Sequence, residues 1–310
     1  MGMPDNSTVS IEVWRPLAPA DAPARTKLRA LLAPHKGEMR GPEARGFYDA
    51  FMQQIRAATD VSYRSEVING VSGWWCIPSA AKAERAILHL HGGWFVLGSA
   101  NAYRNFVSQI AARTQTATFI PDYRLAPEHP LPAALEDARA VYDGLAEGGA
   151  RHIAVTGDSA GGALAIELLA SLAQTPGAVR PTAGVLLSPV TDLTLSGETW
   201  VSRDQADLLF TKEQIRAIIS LYLAGADAAS AQASPINLDL HDLPPLRLHT
   251  GDDEMLLDDS RRFVQRANAA GVDVRLDVWE GMQHGFPTAF DTFEASRMAL
   301  DEIAAFLIRP

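Results

Sequence analysis

The stretch Gly157-Asp158-Ser159-Ala160-Gly161 connects a β-branched run of the chain to an alanine-rich run. Residues 151–156 before it are typical of a buried strand, and residues 162–170 after it carry helix formers at helical spacing. A serine on such a turn takes strained backbone angles, and the glycines beside it let neighbouring chains approach closely. The pattern predicts that Ser159 is a nucleophile whose hydroxyl stands exposed above a sheet. A plain glycine-rich turn is the alternative, because short motifs also occur by chance.

The composition is that of an ordinary globular enzyme and disfavours several kinds of partner. The 310 residues are 47% hydrophobic, and 27 basic against 37 acidic residues give a formal charge of −10. That charge argues against nucleic acid or an anionic membrane as a partner. The chain begins without a signal-peptide pattern, and no apolar run approaches the roughly 20 residues of a membrane span. Cys76 is the one cysteine and is expected to be a buried, inert thiol. Since one cysteine allows no internal disulfide, the chain is predicted to be cytoplasmic.

The order of sequence patterns predicts an α/β fold. Two amphipathic helical segments, around residues 25–32 and 42–57, come first, with no strand pattern between them. A hairpin over 61–77 turns at Asn69-Gly70, and strands then alternate with helices. We expect strands at 86–91, 117–123, 152–157, 184–189, 246–251 and 274–279, and helices at 102–113, 133–147, 161–173, 258–270 and 293–307. Such alternation gives a mostly parallel central sheet flanked by helices, with the hairpin as an antiparallel edge.

One interval interrupts this alternation and predicts a cap. Residues 195–235 have a helical pattern where a short crossover would suffice, so we expect them to cover the carboxyl ends of the strands. The predicted organisation is an N-terminal helical part of the cap (1–60), a first part of the catalytic α/β core (61–194), a cap insertion (195–235) and a second part of the core (236–310). Apolar side chains of the insertion should line a wall of the substrate pocket, namely Trp200, Leu208, Leu209 and Phe210.

An activated serine needs a base, and the base needs a carboxylate that orients it. After a strand–elbow–helix of this kind the acid and then the histidine follow in chain order. His284 fits as the base because it comes just past the last predicted strand, in a loop rich in glycine. The acid is less sharply defined, since Asp252, Asp253 and Glu254 all follow the strand at 246–251.

Four motifs together resemble the bacterial hormone-sensitive-lipase-like esterases, from about residue 60 to the end of the chain. They are His91-Gly92-Gly93, the stretch from Asp122 to Pro130, Gly157 to Gly162, and Gly281-Met282-Gln283-His284-Gly285-Phe286. They occur in the family's order, which makes the resemblance specific. It implies an α/β-hydrolase fold, a helical cap and hydrolysis of short-chain carboxylic esters.

The resemblance also favours one acid. In the family the acid opens an Asp-Pro-Leu-x-Asp pattern, followed by a helix ending in Ala-Ala-Gly-Val. The same register here, anchored at residues 269–272 and His284, places Glu254 where the family usually has aspartate. A glutamate can accept the imidazole N–H equally well. Asp252 and Asp253 stay open as alternatives.

The oxyanion formed during acyl transfer needs backbone N–H donors. Ala160 supplies one at the elbow, and the resemblance places the others in the loop that contains Gly92, Gly93 and Trp94. Trp94 replaces the family's third glycine. Gly93 and Trp94 are the expected donors and Gly92 is expected to shape the turn, provided that the angles at residue 94 suit a non-glycine. The indole is expected to point either into the ester pocket or away under the cap towards Phe95.

These observations predict a serine carboxylesterase that forms an acyl-enzyme and takes a small-molecule ester, without cofactor or metal. His89 and His91 lack a third metal ligand at convincing spacing. A lactonase or amidase with the same triad is the nearest alternative, and a receptor that has kept the pocket is another, although such receptors lose the histidine. A nicotinamide enzyme is disfavoured because no Gly-x-Gly-x-x-Gly follows a strand. A homodimer is an open alternative to a monomer.

Overall fold

The computed structural model describes residues 11–309. The first ten residues lie outside this range, and with them the part of the sequence that predicts no signal peptide. Nine strands in the described part form one sheet, and their bounds are β1 Glu12–Arg15, β2 Val61–Ile68, β3 Val71–Pro78, β4 Arg85–Leu90, β5 Thr118–Pro121, β6 His152–Asp158, β7 Gly184–Leu187, β8 Leu246–Gly251 and β9 Val274–Trp279.

The sheet has the order β1-β9-β8-β7-β6-β4-β5-β3-β2. Only β3 runs against both of its neighbours, so the sheet is mostly parallel. The hairpin turn has positive φ at Asn69 (44°) and Gly70 (86°), as a two-residue turn between twisted strands requires. The predicted α/β fold is confirmed.

Helices connect the strands and cover both faces of the sheet. Their bounds are α1 Ala22–Leu32, α2 Arg45–Gln53, α3 Ala100–Thr114, α4 Ala133–Glu147, α5 Ala160–Ala173, α6 Thr199–Ser202, α7 Lys212–Leu223, α8 Leu257–Ala269 and α9 Glu294–Leu307. Short 3₁₀ turns lie at Ala33–His35, Pro42–Ala44, Pro235–Asn237 and Phe286–Ala289. Among these helices of residues 11–309, none is long and apolar enough to cross a membrane.

The two faces of the sheet carry two apolar cores, because side chains alternate along each strand. On β4, Leu88 and Leu90 pack into the core that includes α4, α5, α7 and α8, whereas Ile87 packs with α3 and α9. Helix α5 is buried over almost its whole surface. Cys76 is fully buried, as expected, and burial raises the pKa of its thiol to about 12.

Strand β1 was not predicted. It extends the sheet by pairing in parallel with β9, from Glu12 opposite Leu276 to Arg15 opposite Trp279. Four residues at a sheet edge form too short a pattern to be recognised by alternation, and β1 depends on the backbone edge that β9 offers. The N-terminal 60 residues therefore contribute a strand to the sheet as well as helices.

Candidate active site

Ser159 lies between β6 and α5 with φ 54° and ψ −120°, the strained conformation expected of the elbow. Close packing explains the glycines beside it. A Cβ at Gly157 would collide with the carbonyl oxygen of Gly161, and a Cβ at Gly161 with that of Leu90. The expected exposure of the serine is wrong, because Ser159 is only 4% exposed.

Glu254 and His284 meet directly. The Glu254 Oε2 atom lies 2.7 Å from His284 Nδ1, and Oε1 accepts hydrogen bonds from Ser188 Oγ at 2.7 Å and from the Gly251 N–H at 2.6 Å. The Thr250 hydroxyl donates to the same oxygen. Both carboxylate oxygens are thus bonded in a fully buried position, which fixes the acid towards the imidazole.

The environment of His284 sets its tautomer and its basicity. A carboxylate can only accept, so the Nδ1 atom carries the proton and Nε2 is left to act as a base. Burial alone lowers the pKa of His284, but the hydrogen bond and charge of Glu254 outweigh burial and raise the pKa above its usual value. Among residues 11–309, no hydrogen bond joins the Ser159 hydroxyl to His284. Such contacts are often long without substrate and tighten when substrate binds.

The two neighbouring aspartates face elsewhere. Asp252 accepts the Gly281 N–H at 2.5 Å. Asp253 Oδ2 lies 2.5 Å from the guanidinium of Arg25 and 3.4 Å from that of Arg29, both on α1. Of the three candidate acids, the structure brings only Glu254 to the histidine.

The loop after β4 has an unusual backbone. Gly93, Trp94 and Phe95 have φ values of 119°, 55° and 62°, and a Cβ at Gly93 would collide with the carbonyl oxygen of Leu97. The Gly92 N–H is occupied, since it donates to Asp158 Oδ1 at 3.0 Å. Within the described range, the N–H groups of Gly93, Trp94 and Ala160 donate to no protein acceptor. These three groups therefore have no protein partner in the described range, whereas the Gly92 N–H has one.

The oxyanion prediction required backbone angles at Trp94 that suit a non-glycine residue, and the φ of 55° does not meet this condition. A left-handed φ at a bulky residue is a genuine outlier and costs about 1–3 kcal/mol. The indole packs against Phe210, edge to face with ring centroids 5.4 Å apart, and lies 6.4 Å from the ring of Trp200. Phe210 in turn packs 5.0 Å from the His284 ring. The indole thus points towards residues 195–235, with Phe210 between it and His284, while Phe95 stacks on Tyr222 at 3.8 Å.

Sequence reasoning missed two side chains that support the site. Asp207 accepts the N–H groups of Leu209 and Phe210 on one oxygen and that of Met255 on the other. Burial raises the pKa of Asp207, and those N–H bonds oppose the shift. Ser188, with φ 45°, donates to Glu254. Each of the two side chains also binds a residue at least 48 positions away, and this distant contact has no signal in the local sequence.

A group of His249, Asp277 and Glu302 places possible metal ligands within 4.8 Å of one another. The donor set does not suit a metal ion. Arg15 binds Asp277 and Glu302 at 2.8 Å each, and Arg275 binds Asp277 at 2.9 Å. These guanidinium groups already neutralise the carboxylates and would repel a cation.

Comparisons with known proteins identify the family. A family model described as alpha/beta hydrolase fold matches residues 87–288. An esterase from Acinetobacter venetianus is 38% identical over 233 residues, which cover 74% of this chain and 77% of that protein. An acetyl-hydrolase from Streptomyces hygroscopicus is 36% identical over 235 residues, covering 75% of this chain and 78% of that protein.

A solved structure gives the same result in three dimensions. The crystal structure of an esterase from the bacterial hormone-sensitive lipase family is 34% identical, with a TM-score of 0.86 and coverage of 94% of this chain and 98% of that chain. The fold and the elbow define an α/β hydrolase. The chain belongs to this family, and within it to the bacterial hormone-sensitive-lipase-like esterases, as the four motifs predicted.

Proposed function

We propose that this ester-hydrolysing serine hydrolase cleaves short-chain carboxylic esters through an acyl-enzyme on Ser159. His284 is the general base and Glu254 orients it. The observation that carries the proposal is the 2.7 Å contact between Glu254 and His284. The strained serine at the turn from β6 to α5 supplies the nucleophile that this pair would serve.

The geometry supports the following sequence of steps. His284 Nε2 takes the hydroxyl proton as Ser159 Oγ bonds to the ester carbonyl carbon, and the N–H groups of Gly93, Trp94 and Ala160 bind the resulting oxyanion. His284 then returns the proton to the leaving alkoxide as the carbon–oxygen bond breaks. Water attacks the acyl-enzyme after giving a proton to His284, and the carboxylic acid leaves as Ser159 recovers its proton.

We further propose that the helices between residues 16 and 60, together with residues 195–235, form the cap, while β1 joins the sheet of the catalytic core that residues 61–194 and 236–310 form. Phe210 packs beside His284 and Trp94 packs on Phe210, which favours a small acyl or alcohol group. Contacts between the two cap segments support the division, since Arg29 of α1 donates to the carbonyl oxygens of Gln205 and Ala206. Cytoplasmic location and a homodimer stay predictions.

p-Nitrophenyl butyrate provides the test, since one related esterase crystal, 33% identical with a TM-score of 0.82, was soaked with it. The wild type should hydrolyse this ester and react with a fluorophosphonate at Ser159. Ser159→Ala should lose both properties with an unchanged melting temperature, because the hydroxyl contributes little packing. Residual turnover within tenfold of wild type would refute the mechanism. A panel of lactones and anilides, cleaved faster than the ester, would instead identify a lactonase or amidase.

A further inference from the structure

Helix α2 packs beside the loop of residues 91–99 without reaching the triad. Three of its side chains, Arg45, Tyr48 and Asp49, each connect to a different part of that loop. They share one face because residues three and four apart on a helix are neighbours. The opposite face carries Phe47, which is 69% exposed.

Tyr48 reaches the start of the loop through a chain of three hydrogen bonds. The hydroxyl groups of Tyr48 and Tyr103 lie 2.6 Å apart, and Tyr103 Oη donates to Asp158 Oδ2 at 3.0 Å. Since Tyr103 has one proton and gives it to the carboxylate, Tyr48 is the donor to Tyr103. The other oxygen of Asp158 accepts the Gly92 N–H. Asp158 therefore joins α2 to the residue that precedes the free N–H groups.

Arg45 and Asp49 hold the rest of the loop. Arg45 Nε donates to the Val96 carbonyl oxygen at 2.8 Å, and its Nη2 donates to the Ala126 carbonyl oxygen at 2.8 Å. Asp49 Oδ2 accepts from Ser99 Oγ at 2.8 Å, and Ser99 caps α3, which follows the loop. The start, middle and end of the loop are thus all tied to one helix face.

The loop needs such support because its conformation is strained. Three consecutive residues, Gly93 to Phe95, have positive φ, and such conformations persist only when the surroundings over-determine them. Oxyanion donors also act only within a few tenths of an ångström of the right position. We propose that Arg45 and Tyr48 are positioning residues for ester hydrolysis, which fix the N–H groups of Gly93 and Trp94 through the backbone of the loop. This inference rests on the function proposed above.

Tyr48→Phe tests the inference because it removes one hydroxyl and leaves the ring in place. We expect kcat on p-nitrophenyl butyrate to fall about 3- to 10-fold, as the loss of one supporting hydrogen bond predicts, while KM stays within about twofold. Affinity for a trifluoromethyl ketone, whose serine adduct places an oxyanion in the same position, should fall by the same factor as kcat/KM. Arg45→Ala should act more strongly than Tyr48→Phe, and Arg45→Lys should recover part of the loss.

Tyr142→Phe is the matched control. Tyr142 is buried on α4 and donates to the Val179 carbonyl oxygen at 2.8 Å, so its variant loses a comparable hydrogen bond away from the loop. It should lower the melting temperature as much as Tyr48→Phe does and leave kcat unchanged.

The proposal is overturned if Tyr48→Phe and Arg45→Ala keep wild-type kcat and wild-type affinity for the ketone. Ser159→Ala separates this failure from that of the proposed function. An inactive Ser159→Ala together with a fully active Tyr48→Phe removes only the positioning role. An active Ser159→Ala removes the proposed function itself.

Discussion

Glu254 is longer by one methylene than the aspartate that the family usually has at this position. The loops that carry Glu254 and His284 lie close together, because a Cβ at Gly251 would collide with the Met282 carbonyl oxygen. Three further donors hold the second oxygen. These hydrogen bonds fix the longer side chain with its Oε2 atom 2.7 Å from His284 Nδ1.

The first prediction concerns this acid. Glu254→Gln should lower kcat by about 10²–10⁴, because the charge that stabilises the imidazolium is lost. Glu254 also raises the pKa of His284, and the base works only when unprotonated. The acid limb of the kcat/KM profile should therefore move to lower pH in the variant. Stopped-flow rates between pH 4 and 9 measure both effects.

Asp252→Asn and Asp253→Asn are the controls for that prediction, since these carboxylates bind Gly281 and two arginines of α1. Both variants should stay within about tenfold of wild type. If Asp253→Asn were the most damaging of the three changes, the assignment of the acid would be wrong.

The second prediction concerns Trp94. Its indole packs on Phe210, which in turn packs on the His284 ring, so Trp94→Gly should enlarge the space for substrate. Bulky esters should gain kcat/KM relative to small ones, while a looser loop lowers kcat on the best small ester. Trp94→Phe keeps an aromatic wall and should retain most of the wild-type preference. An unchanged ratio in Trp94→Gly would show that the indole does not limit the substrate.

At the scale of elements, helix α5 carries a carboxyl group, that of Glu167, which has no part in the proposed mechanism. Glu167 is buried on α5, and both carboxylate oxygens lack a hydrogen-bond partner within residues 11–309. Burial raises the pKa of Glu167 well above its usual value. Tyr222 of α7, whose hydroxyl also lacks a partner in the same range, lies within electrostatic reach of this carboxyl.

The third prediction follows from this burial. An acid whose pKa is higher in the folded chain stabilises the fold most at a pH below its unfolded pKa, and that contribution is lost as the pH rises through the folded pKa. Glu167→Met should therefore raise the free energy of unfolding by about 1–3 kcal/mol at pH 7 and by less at pH 4. Urea denaturation at both values measures the difference. Glu213→Met, at an exposed position of α7, should change little, and equal effects of the two variants would contradict the prediction.

At the scale of the whole molecule, sequence patterns identify the features that depend on residues close together in the chain. Ser159, Glu254 and His284 lie in motifs whose spacing is visible in the chain, and the alternation of strands and helices predicts the sheet. The supporting residues are different. Tyr48, Ser188 and Asp207 each bind a partner that is distant in sequence, and no local pattern marks these contacts. The φ of Trp94 is likewise set by the surrounding fold, against the preference of the residue itself.

Strand β1 shows the same limit and leads to the last prediction. It joins the sheet through four backbone pairs, and Arg15 at its end binds the fully buried Asp277 of β9 and Glu302 of α9. Arg15 therefore links the N-terminal segment to the last strand and the last helix. Because the Arg15 side chain is partly exposed, its removal is expected to lower the free energy of unfolding by less than the removal of a wholly buried partner would.

Arg15→Ala should lower the free energy of unfolding by about 2 kcal/mol, since Arg275 is then the one neutralising partner of Asp277 among residues 11–309. Arg64→Ala is the control, because the pair of Arg64 and Glu66 lies exposed on β2 and should contribute less than about 1 kcal/mol. Denaturant titrations of both variants give the comparison. Chelator treatment of the wild type should change neither stability nor activity, because the two arginines supply the charge that a metal would bring to Asp277 and Glu302. Equal losses in Arg15→Ala and Arg64→Ala would show that β1 is held by its backbone pairs alone.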